Sequence, residues 1–212
     1  MTNEILINYS LLLAVSYLIG SIPTAVWAGK AFYKKDVRNF GSGNAGATNT
    51  FRVLGKKAGI PVLLFDIFKG WFVVYFLAKY SGILLETNEF ITSQIGLGIM
   101  AILGHIFPIF AKFRGGKGVA TLFGIIIALH GLAALCCVGI FVIVFYLSRI
   151  VSLSSMVAAL SFPIFVIFIF KTEYNSLIIF SLVISVLILI THKSNIQRII
   201  KGEESKLKVN KD

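Results

Sequence analysis

Long runs of hydrophobic residues, interrupted by short polar segments, make up most of the chain. A helix needs about 20 apolar residues to cross a hydrocarbon core of about 30 Å, and several of the runs have that length. They are too continuous for the alternating strands of about ten residues that build outer-membrane β-barrels. We therefore predict spanning helices, whose backbone groups are satisfied internally, at 5–27, 58–78, 91–111, 119–129, 132–147, 151–170 and 177–190.

The apolar run from 119 to 170 is too long for a single crossing, so it decides how many helices there are. Its natural breaks are His130-Gly131 and the polar cluster that starts at Ser148, which divide it into three pieces. The first piece is short for a full crossing unless it begins in a polar region buried by protein. The predicted fold is an all-α, polytopic integral membrane protein with seven transmembrane helices, and five is the alternative.

The composition excludes a soluble globular domain. The chain is 57% hydrophobic and only 14% charged, with a mean hydropathy of +0.89, whereas about a quarter of the residues in soluble domains are charged. The first hydrophobic run follows an acidic start without basic residues, so we expect a retained membrane helix and not a cleaved signal peptide. The pattern predicts one membrane-embedded domain over 1–200 and a short solvated cytoplasmic tail over 201–212.

Basic residues are distributed unevenly enough to predict the orientation. Apart from Lys69, Lys79 and Lys171, every Lys and Arg lies in the segments 30–57 and 112–117, at Arg149, or from 193 onward. Cytoplasmic segments carry the excess of Lys and Arg, so the amino terminus is predicted outside and the carboxyl terminus in the cytoplasm. The net charge of +11 is therefore a topology signal. Nucleic-acid binding is disfavoured, because no surface of Arg and aromatic residues suited to bases lies outside the membrane segments.

Residues 41–52 are almost uniformly small and polar, and they end at Arg52. Small residues let a backbone approach a ligand closely, and N–H groups with Ser, Asn, Thr and Arg side chains can donate to anionic oxygens. This is the chemistry of a phosphate site. The alternative interpretation is a Gly- and Asn-rich linker that turns between two helices.

A second polar cluster, at 112–121, places a Gly-rich run immediately before a predicted helix. A helix amino terminus flanked by basic side chains is suited to bind an anion. It is not a Walker loop for nucleotides, because Ala111 and Gly118 stand where that motif needs Gly and Ser or Thr. The alternative interpretation is the ordinary positive charge of a cytoplasmic segment beside a glycine helix start.

The third cluster consists of His192, Asn195 and Arg198, followed by Gly202 and Glu204. The first three are spaced three apart at the cytoplasmic end of the last predicted helix. If that helix continues, they lie along one side of it. A lone histidine here would more often be interfacial than catalytic, but three hydrogen-bonding side chains together favour a site.

Asp66 and Lys69 lie deeper, one helical turn apart in the second predicted helix. Burying either charge alone costs on the order of 3 kcal/mol, so we expect a mutual pair or another polar partner. A structural ion pair and a substrate contact are both open.

These motifs resemble those of a known family. The pattern S-G-N-x-G-A-T-N-x-x-R at 42–52, the run K-F-R-G-G-K-G-V-A-T at 112–121, and H-x-x-N-x-x-R at 192–198 with G-x-E at 202–204 are similar to the three cytoplasmic motifs of the bacterial acyl-phosphate glycerol-3-phosphate acyltransferases, the PlsY family. The D-x-x-K-G pattern at 66–70 also fits. The sequence departs from the family at Ala45, where Pro is frequent, and at Arg114, where Lys is common.

The resemblance implies an enzyme of the bacterial inner (cytoplasmic) membrane, with its active site facing the cytoplasm. It implies transfer of a fatty acyl group from acyl phosphate to the 1-hydroxyl of glycerol-3-phosphate, the first step of phospholipid synthesis, with membrane lipid as surroundings. Because acyl phosphate is already activated, no cofactor is expected. The His-x4-Asp signature of acyltransferases that use coenzyme A or carrier protein is missing after each of the three histidines.

The candidate site residues follow from the clusters and the resemblance together. The catalytic candidates are Ser42, Arg52, His192 and Asn195. The phosphate-binding candidates are Gly43, Asn44, Gly46, Thr48, Asn49, Lys112, Gly115, Gly116, Lys117, Gly118 and Arg198. Asp66, Lys69, Gly202 and Glu204 are further candidates, for which a structural role and a role in the site are both open. No metal is expected, and the proton acceptor is either His192 or the phosphate of the substrate.

A transporter of a phosphorylated or anionic metabolite is the alternative function. Transporters place broken helices and charged residues near the midplane of the membrane. Here nearly all such groups lie at one predicted membrane face, and only Asp66 and Lys69 lie deeper.

Overall fold

The computed structural model describes residues 3–85 and 87–206, and within them every regular element is helical. Ten α-helices form the framework. They are α1 (Asn3–Gly20), α2 (Thr24–Tyr33), α3 (Ala47–Leu54), α4 (Lys56–Trp71), α5 (Asn88–Ile106), α6 (Val119–Leu129), α7 (Gly131–Ser148), α8 (Val151–Ile164), α9 (Asn175–Thr191) and α10 (Lys193–Ile200). The predicted tail over 201–212 lies outside the described residues from 207 onward.

Among the described residues, five helical segments are long and apolar enough to cross a membrane. They are Asn3–Gly20, Lys56–Tyr80, Asn88–Ala111, Gly131–Ser148 and Val151–Ile169. Helices α9 and α10 would add a sixth if they formed one span, although they are bent by 61°. Helix α6 covers the same residues as the fourth predicted segment, but with 11 residues it is shorter than these five segments. The helical class is confirmed, and the choice between seven and five crossings stays a prediction.

The first predicted span, 5–27, is interrupted. Helix α1 ends at Gly20, the chain turns, and α2 begins at Thr24 after Pro23. Proline has no backbone N–H and disfavours a helical conformation in the residue before it, so a continuous helix is blocked here. Hydropathy does not detect this break, because both sides of it are apolar.

The chain forms two compact units that divide between Leu129 and His130. We name them the amino-terminal unit and the carboxy-terminal unit. Whether they act as the single membrane domain predicted over 1–200 stays a prediction.

In the amino-terminal unit, small residues let the helices approach one another. A Cβ on Gly20 of α1 would overlap the backbone of Ala101 in α5, and a Cβ on Gly70 of α4 would overlap the Thr121 carbonyl in α6. Close backbone approach is the usual way in which membrane helices associate, since lipid provides no hydrophobic drive between them. The backbone contacts therefore hold α1, α4, α5 and α6 in fixed positions.

Helix α4 continues into a π-helical turn, Phe72–Phe76, which disturbs the regular backbone hydrogen bonds. The side chain of Gln94 in α5 donates from Nε2 to the Val74 carbonyl at 2.9 Å. A buried carbonyl without a partner would cost free energy, so this contact stabilises the irregular turn. In the carboxy-terminal unit, Ser185 of α9 similarly donates to the Ala159 carbonyl of α8 at 2.8 Å.

Candidate active site

The segment 41–46, which we name the first loop, is organised by the side chain of Asn49. Its Nδ2 donates to the carbonyls of Val37, Phe40 and Asn44 at 2.8–3.1 Å. Its Oδ1 accepts from the Ser42 N–H at 2.9 Å. Asn49 is 2% exposed, and in these contacts its side-chain nitrogen donates while its side-chain oxygen accepts. Its observed contacts hold the loop together, and the ligand contact predicted for it stays a prediction.

Three polar side chains in the first loop or on the helix that follows it are exposed. Ser42 is exposed, and so are Thr48 and Arg52 on α3. Thr48 and Arg52 are four residues apart and lie on the same face of that short helix. Ala45 and Ala47 point the other way, into an apolar cluster with residues of α2 and α4. This region therefore has buried, apolar residues and exposed, polar ones.

Asp36 and Arg38, which the sequence analysis did not single out, form a clamp beside the first loop. Arg38 donates from Nε and Nη2 to the two oxygens of Asp36, at 3.0 and 2.7 Å. Its Nη1 donates to the Ala111 carbonyl at 2.9 Å. The Arg38 guanidinium holds the pKa of Asp36 well below its usual range. The spacing of Asp36 and Arg38 in the sequence could have indicated their ion pair, but no sequence feature indicated the contact between Arg38 and Ala111.

The segment 112–118, which we name the second loop, folds back on the end of α5. The N–H groups of Gly115 and Gly116 donate to the carbonyls of Ile106 and His105, at 3.2 and 3.1 Å. These two predicted phosphate-binding amides are therefore engaged within the protein. Lys112 and Arg114 are exposed and Lys117 is half-buried. Helix α6 starts directly after Gly118, and the N–H groups of its first turn have no acceptor within the helix.

The two loops contact each other in the amino-terminal unit. The Ala45 N–H donates to the Gly115 carbonyl at 3.4 Å, and Arg38 reaches the residue before Lys112. Proline has no N–H, so the contact from position 45 requires the departure from the family pattern noted above. The first two predicted clusters are thus neighbours.

Asp66 and Lys69 form the buried ion pair that the sequence predicted. Lys69 Nζ lies 2.8 Å from Asp66 Oδ1, and both side chains are 2% exposed. Lys69 also donates to the Ile22 carbonyl at 3.1 Å, and Thr24 donates to Asp66 at 3.1 Å. Each member of the pair thus has a further protein partner, which favours the structural interpretation over a substrate contact.

The third cluster lies in the carboxy-terminal unit, where the helix does not continue straight as the sequence interpretation required. It bends by 61° between α9 and α10, at His192. His192 is 2% exposed, and its Nδ1 lies 2.8 Å from the Ile188 carbonyl. Asn195 and Arg198 follow on α10.

Glu204 receives three hydrogen bonds. Asn195 and Ser152 donate to Oε1 at 2.6 and 2.7 Å, and Arg198 Nε donates to Oε2 at 2.6 Å. Burial alone would raise the pKa of Glu204, but the hydrogen bonds from Arg198, Ser152 and Asn195 lower it overall. Asn195 and Arg198 therefore both contact Glu204, and the substrate contacts predicted for them stay a prediction. Ser152 belongs to the polar cluster that starts at Ser148 and was not among the predicted site residues.

Gly202 explains how Glu204 reaches these partners. The Gly202 N–H donates to the Ile199 carbonyl and the Glu203 N–H to the Arg198 carbonyl, at 3.0 and 2.8 Å. With Gly202 at φ +70°, this is a Schellman turn, which ends a helix and reverses the chain. These contacts favour a structural role for Gly202 and Glu204.

In the structure the first two clusters contact each other. That the third cluster forms one site with them stays a prediction. Within residues 3–85 and 87–206, no three His, Cys, Asp or Glu side chains are grouped closely enough to hold a metal ion.

Comparisons with known proteins identify relatives across nearly the whole chain. A family model described as glycerol-3-phosphate acyltransferase matches residues 10–202. A protein named glycerol-3-phosphate acyltransferase from Staphylococcus carnosus is 45% identical over 202 residues, which cover 93% of this chain and 97% of that protein. A protein of the same name from Fusobacterium nucleatum is 43% identical, with 92% and 96% covered.

Solved structures show the same fold. The crystal structure of PlsY, an integral membrane glycerol 3-phosphate acyltransferase, in its glycerol 3-phosphate form has a TM-score of 0.82 to this chain. The two are 33% identical, and the match covers 94% of this chain and 96% of the other. The lysophosphatidic acid form of that protein gives a TM-score of 0.79. The prediction of an all-helical integral membrane protein is confirmed.

Proposed function

The chain belongs to the glycerol-3-phosphate acyltransferase family, and we propose that it transfers a fatty acyl group from acyl phosphate to the 1-hydroxyl of glycerol-3-phosphate. The products are lysophosphatidate and inorganic phosphate. The enzyme works in the bacterial inner membrane, with the site facing the cytoplasm. The observation that carries the proposal is the contact between the two glycine-rich loops, which brings Arg52, directly after the first loop, into one unit with Lys112 and Lys117 of the second.

Both substrates carry phosphate groups, and the loops offer matching donors. The exposed cations Arg52 and Lys112, with the half-buried Lys117, lie in or beside the two loops. Fixed cations and N–H groups hold the anions so that the hydroxyl lies near the acyl carbonyl carbon, which is catalysis by positioning and electrostatics. Ser42 orients a phosphate group or the attacking hydroxyl.

The reaction needs no covalent enzyme intermediate. The hydroxyl oxygen forms a bond to the acyl carbonyl carbon, the bond from that carbon to the phosphate oxygen breaks, and inorganic phosphate leaves. The hydroxyl proton passes to a base. Acyl phosphate has a good leaving group, so neither a nucleotide nor a metal ion is required for activation.

Two bases remain candidates for that proton. The carbonyl of Ile188 can only accept a hydrogen bond, so its contact with His192 Nδ1 at 2.8 Å places the hydrogen on Nδ1. In neutral His192 the basic nitrogen is then Nε2. The second candidate is the substrate's own phosphate, whose second pKa near 6 suits it to accept a proton at neutral pH.

The contacts support positioning roles in the proposed reaction for several residues first taken as ligands. Asn49 shapes the first loop, and Asn195 and Arg198 fix the region of α10 through Glu204. The transporter alternative loses support, because Asp66 and Lys69, its deeper charged residues, neutralise each other.

The test is a transfer assay in detergent. Purified protein is mixed with palmitoyl phosphate and radiolabelled glycerol-3-phosphate, without coenzyme A or ATP. A labelled lipid is expected with the wild type and with Lys57→Ala, an exposed control, and a strongly reduced yield with Arg52→Ala. Labelled lipid formed only with palmitoyl coenzyme A would refute the proposed donor. Uptake of glycerol-3-phosphate into proteoliposomes without lipid product would favour the transporter.

A further inference from the structure

A buried polar cluster connects five segments of the amino-terminal unit beneath the second loop. We use this name for the side chains of Thr24, Asp66, Lys69, His105 and Thr121. Asp66 and Lys69 belong to α4, Thr24 opens α2, His105 is in the last turn of α5 and Thr121 is in the first turn of α6. Lys69 also donates to the carbonyl of Ile22, so the turn that precedes α2 is the fifth segment. The proposed reaction uses none of these side chains.

His105 is the member that contacts the second loop. It is 7% exposed, and its carbonyl accepts from the Gly116 N–H at 3.1 Å. Its ring lies against the same residue, because a Cβ on Gly116 would overlap His105 Nε2. The ring and the backbone of His105 therefore both determine where Gly116 lies.

The other side of the same ring is held by the buried polar cluster. His105 Nδ1 lies 3.1 Å from Thr121 Oγ1 and 3.8 Å from Asp66 Oδ1. Thr121 is completely buried, and its own backbone is in close contact with Gly70 of α4. The contact between His105 and Thr121 thus joins the two ends of the second loop, since α5 precedes that loop and α6 follows it.

We propose that His105 is a positioning residue: the contact with Thr121, supported by the Asp66–Lys69 pair, sets the position of the second loop for binding the phosphate of glycerol-3-phosphate. This inference rests on the proposed function, which assigns phosphate binding to that loop. His105 acts through Gly116 and the start of α6 and does not touch the substrate. Preorganised donors bind an anion without reorganisation, so a shifted loop weakens binding more than it slows the chemical step.

The first test separates binding from chemistry with matched substitutions at position 121. Thr121→Val keeps the shape and removes the hydroxyl, whereas Thr121→Ser keeps the hydroxyl. Loss of one hydrogen bond corresponds to about a five- to tenfold change in an equilibrium constant. Thr121→Val is expected to raise the KM for glycerol-3-phosphate by about that factor, with kcat within about twofold of the wild type. Thr121→Ser is expected to restore the wild-type KM.

Substitutions of His105 provide a second, independent pair in case the valine variant does not fold. His105→Asn keeps a polar group close to the position of Nδ1, and His105→Leu removes it. The asparagine variant is expected to bind glycerol-3-phosphate more tightly than the leucine variant. Thr92→Val is the matched control, since Thr92 is exposed on α5 and its hydroxyl donates to the Asn88 carbonyl of its own helix.

Binding is also measured directly, as the rise in Tm that glycerol-3-phosphate produces in purified protein. A smaller rise in Thr121→Val and His105→Leu, with recovery in the conservative variants, supports the inference. An unchanged KM and an unchanged rise in Tm, or equal losses in Thr121→Ser and Thr121→Val, would overturn it. If the wild type binds glycerol-3-phosphate but forms no lipid from palmitoyl phosphate, the proposed donor fails while the binding measurement still decides the role of His105.

Discussion

Replacement of Glu204 by glutamine tests the contacts that organise the third cluster. Glu204→Gln keeps the size of the side chain and removes its charge. A glutamine oxygen can still accept from Ser152 and Asn195, but an NH₂ group would then face Arg198, which is also a donor. The substitution therefore weakens two hydrogen bonds and removes a third.

The size of the effect follows from the burial of the partners. Hydrogen bonds to a charged group are about twice as strong as those between neutral groups, so the two contacts at Oε1 each lose on the order of 0.5–1 kcal/mol. The Arg198 side chain is 36% exposed, so solvent screens its ion pair, and that contact is worth at most about 1 kcal/mol. The total is about 2 kcal/mol, which lowers the Tm of a protein of this size by about 4–8 °C.

The effect must also depend on pH, because the pKa of Glu204 is lowered in the folded protein. A group whose folded pKa is depressed contributes stability above its unfolded pKa, which is about 4.3 for glutamate. That contribution is lost as the pH falls through the folded pKa. The Tm difference between the wild type and Glu204→Gln should therefore be largest at neutral pH and shrink below about pH 4.

Thermal unfolding in detergent over this pH range measures both expectations. Glu203→Gln is the matched control, since Glu203 is the exposed neighbour on the same turn. An unchanged Tm in Glu204→Gln at neutral pH, or a Tm difference that stays constant through the acid range, would show that the carboxylate does not stabilise the fold in this way.

Three further substitutions test the loops. Asn49→Ala should lower the free energy of unfolding by about 3 kcal/mol and abolish most activity, because one buried and two partly buried carbonyls lose a donor. Denaturation of the purified variant checks this, and an unchanged stability would contradict it. Lys117→Ala should raise the KM for glycerol-3-phosphate by about ten- to a hundredfold, because it removes a hydrogen bond to a charged group. An unchanged KM would show that Lys117 does not contact this substrate. Gly46→Leu should lower activity without lowering Tm, because a Cβ there meets only the end of the Asn44 side chain; full activity would make the first loop a linker.

The helices were predictable where the sequence marks both of their ends. Helix α6 lies where the sequence placed it, since Gly118 precedes it and His130-Gly131 follows it. The Asp66–Lys69 pair was predictable too, because an uncompensated buried charge is too costly. The break before Pro23 lies inside an apolar run, where the hydropathy pattern gives no signal.

The site was predictable in its location more than in the roles of its residues. Small polar residues such as Asn49 bind ligands and also build loops, and the sequence does not distinguish these uses. The contact between Ser152 and Glu204 joins residues 52 positions apart, and the contact between His105 and Thr121 depends on how α5 and α6 pack. Such long-range contacts follow from tertiary structure, which one sequence does not reveal.

The interruption between α1 and α2 also explains how an ammonium group is tolerated at position 69. In an uninterrupted helix the Ile22 carbonyl would accept from the Val26 N–H, but here that N–H donates to Pro23 instead. The Ile22 carbonyl oxygen can therefore accept a hydrogen bond from Lys69 Nζ, as a water molecule would do in solution. The turn at Pro23 thus gives a lysine 46 positions later in the chain an acceptor in addition to Asp66, and straightening the backbone at that point would remove it.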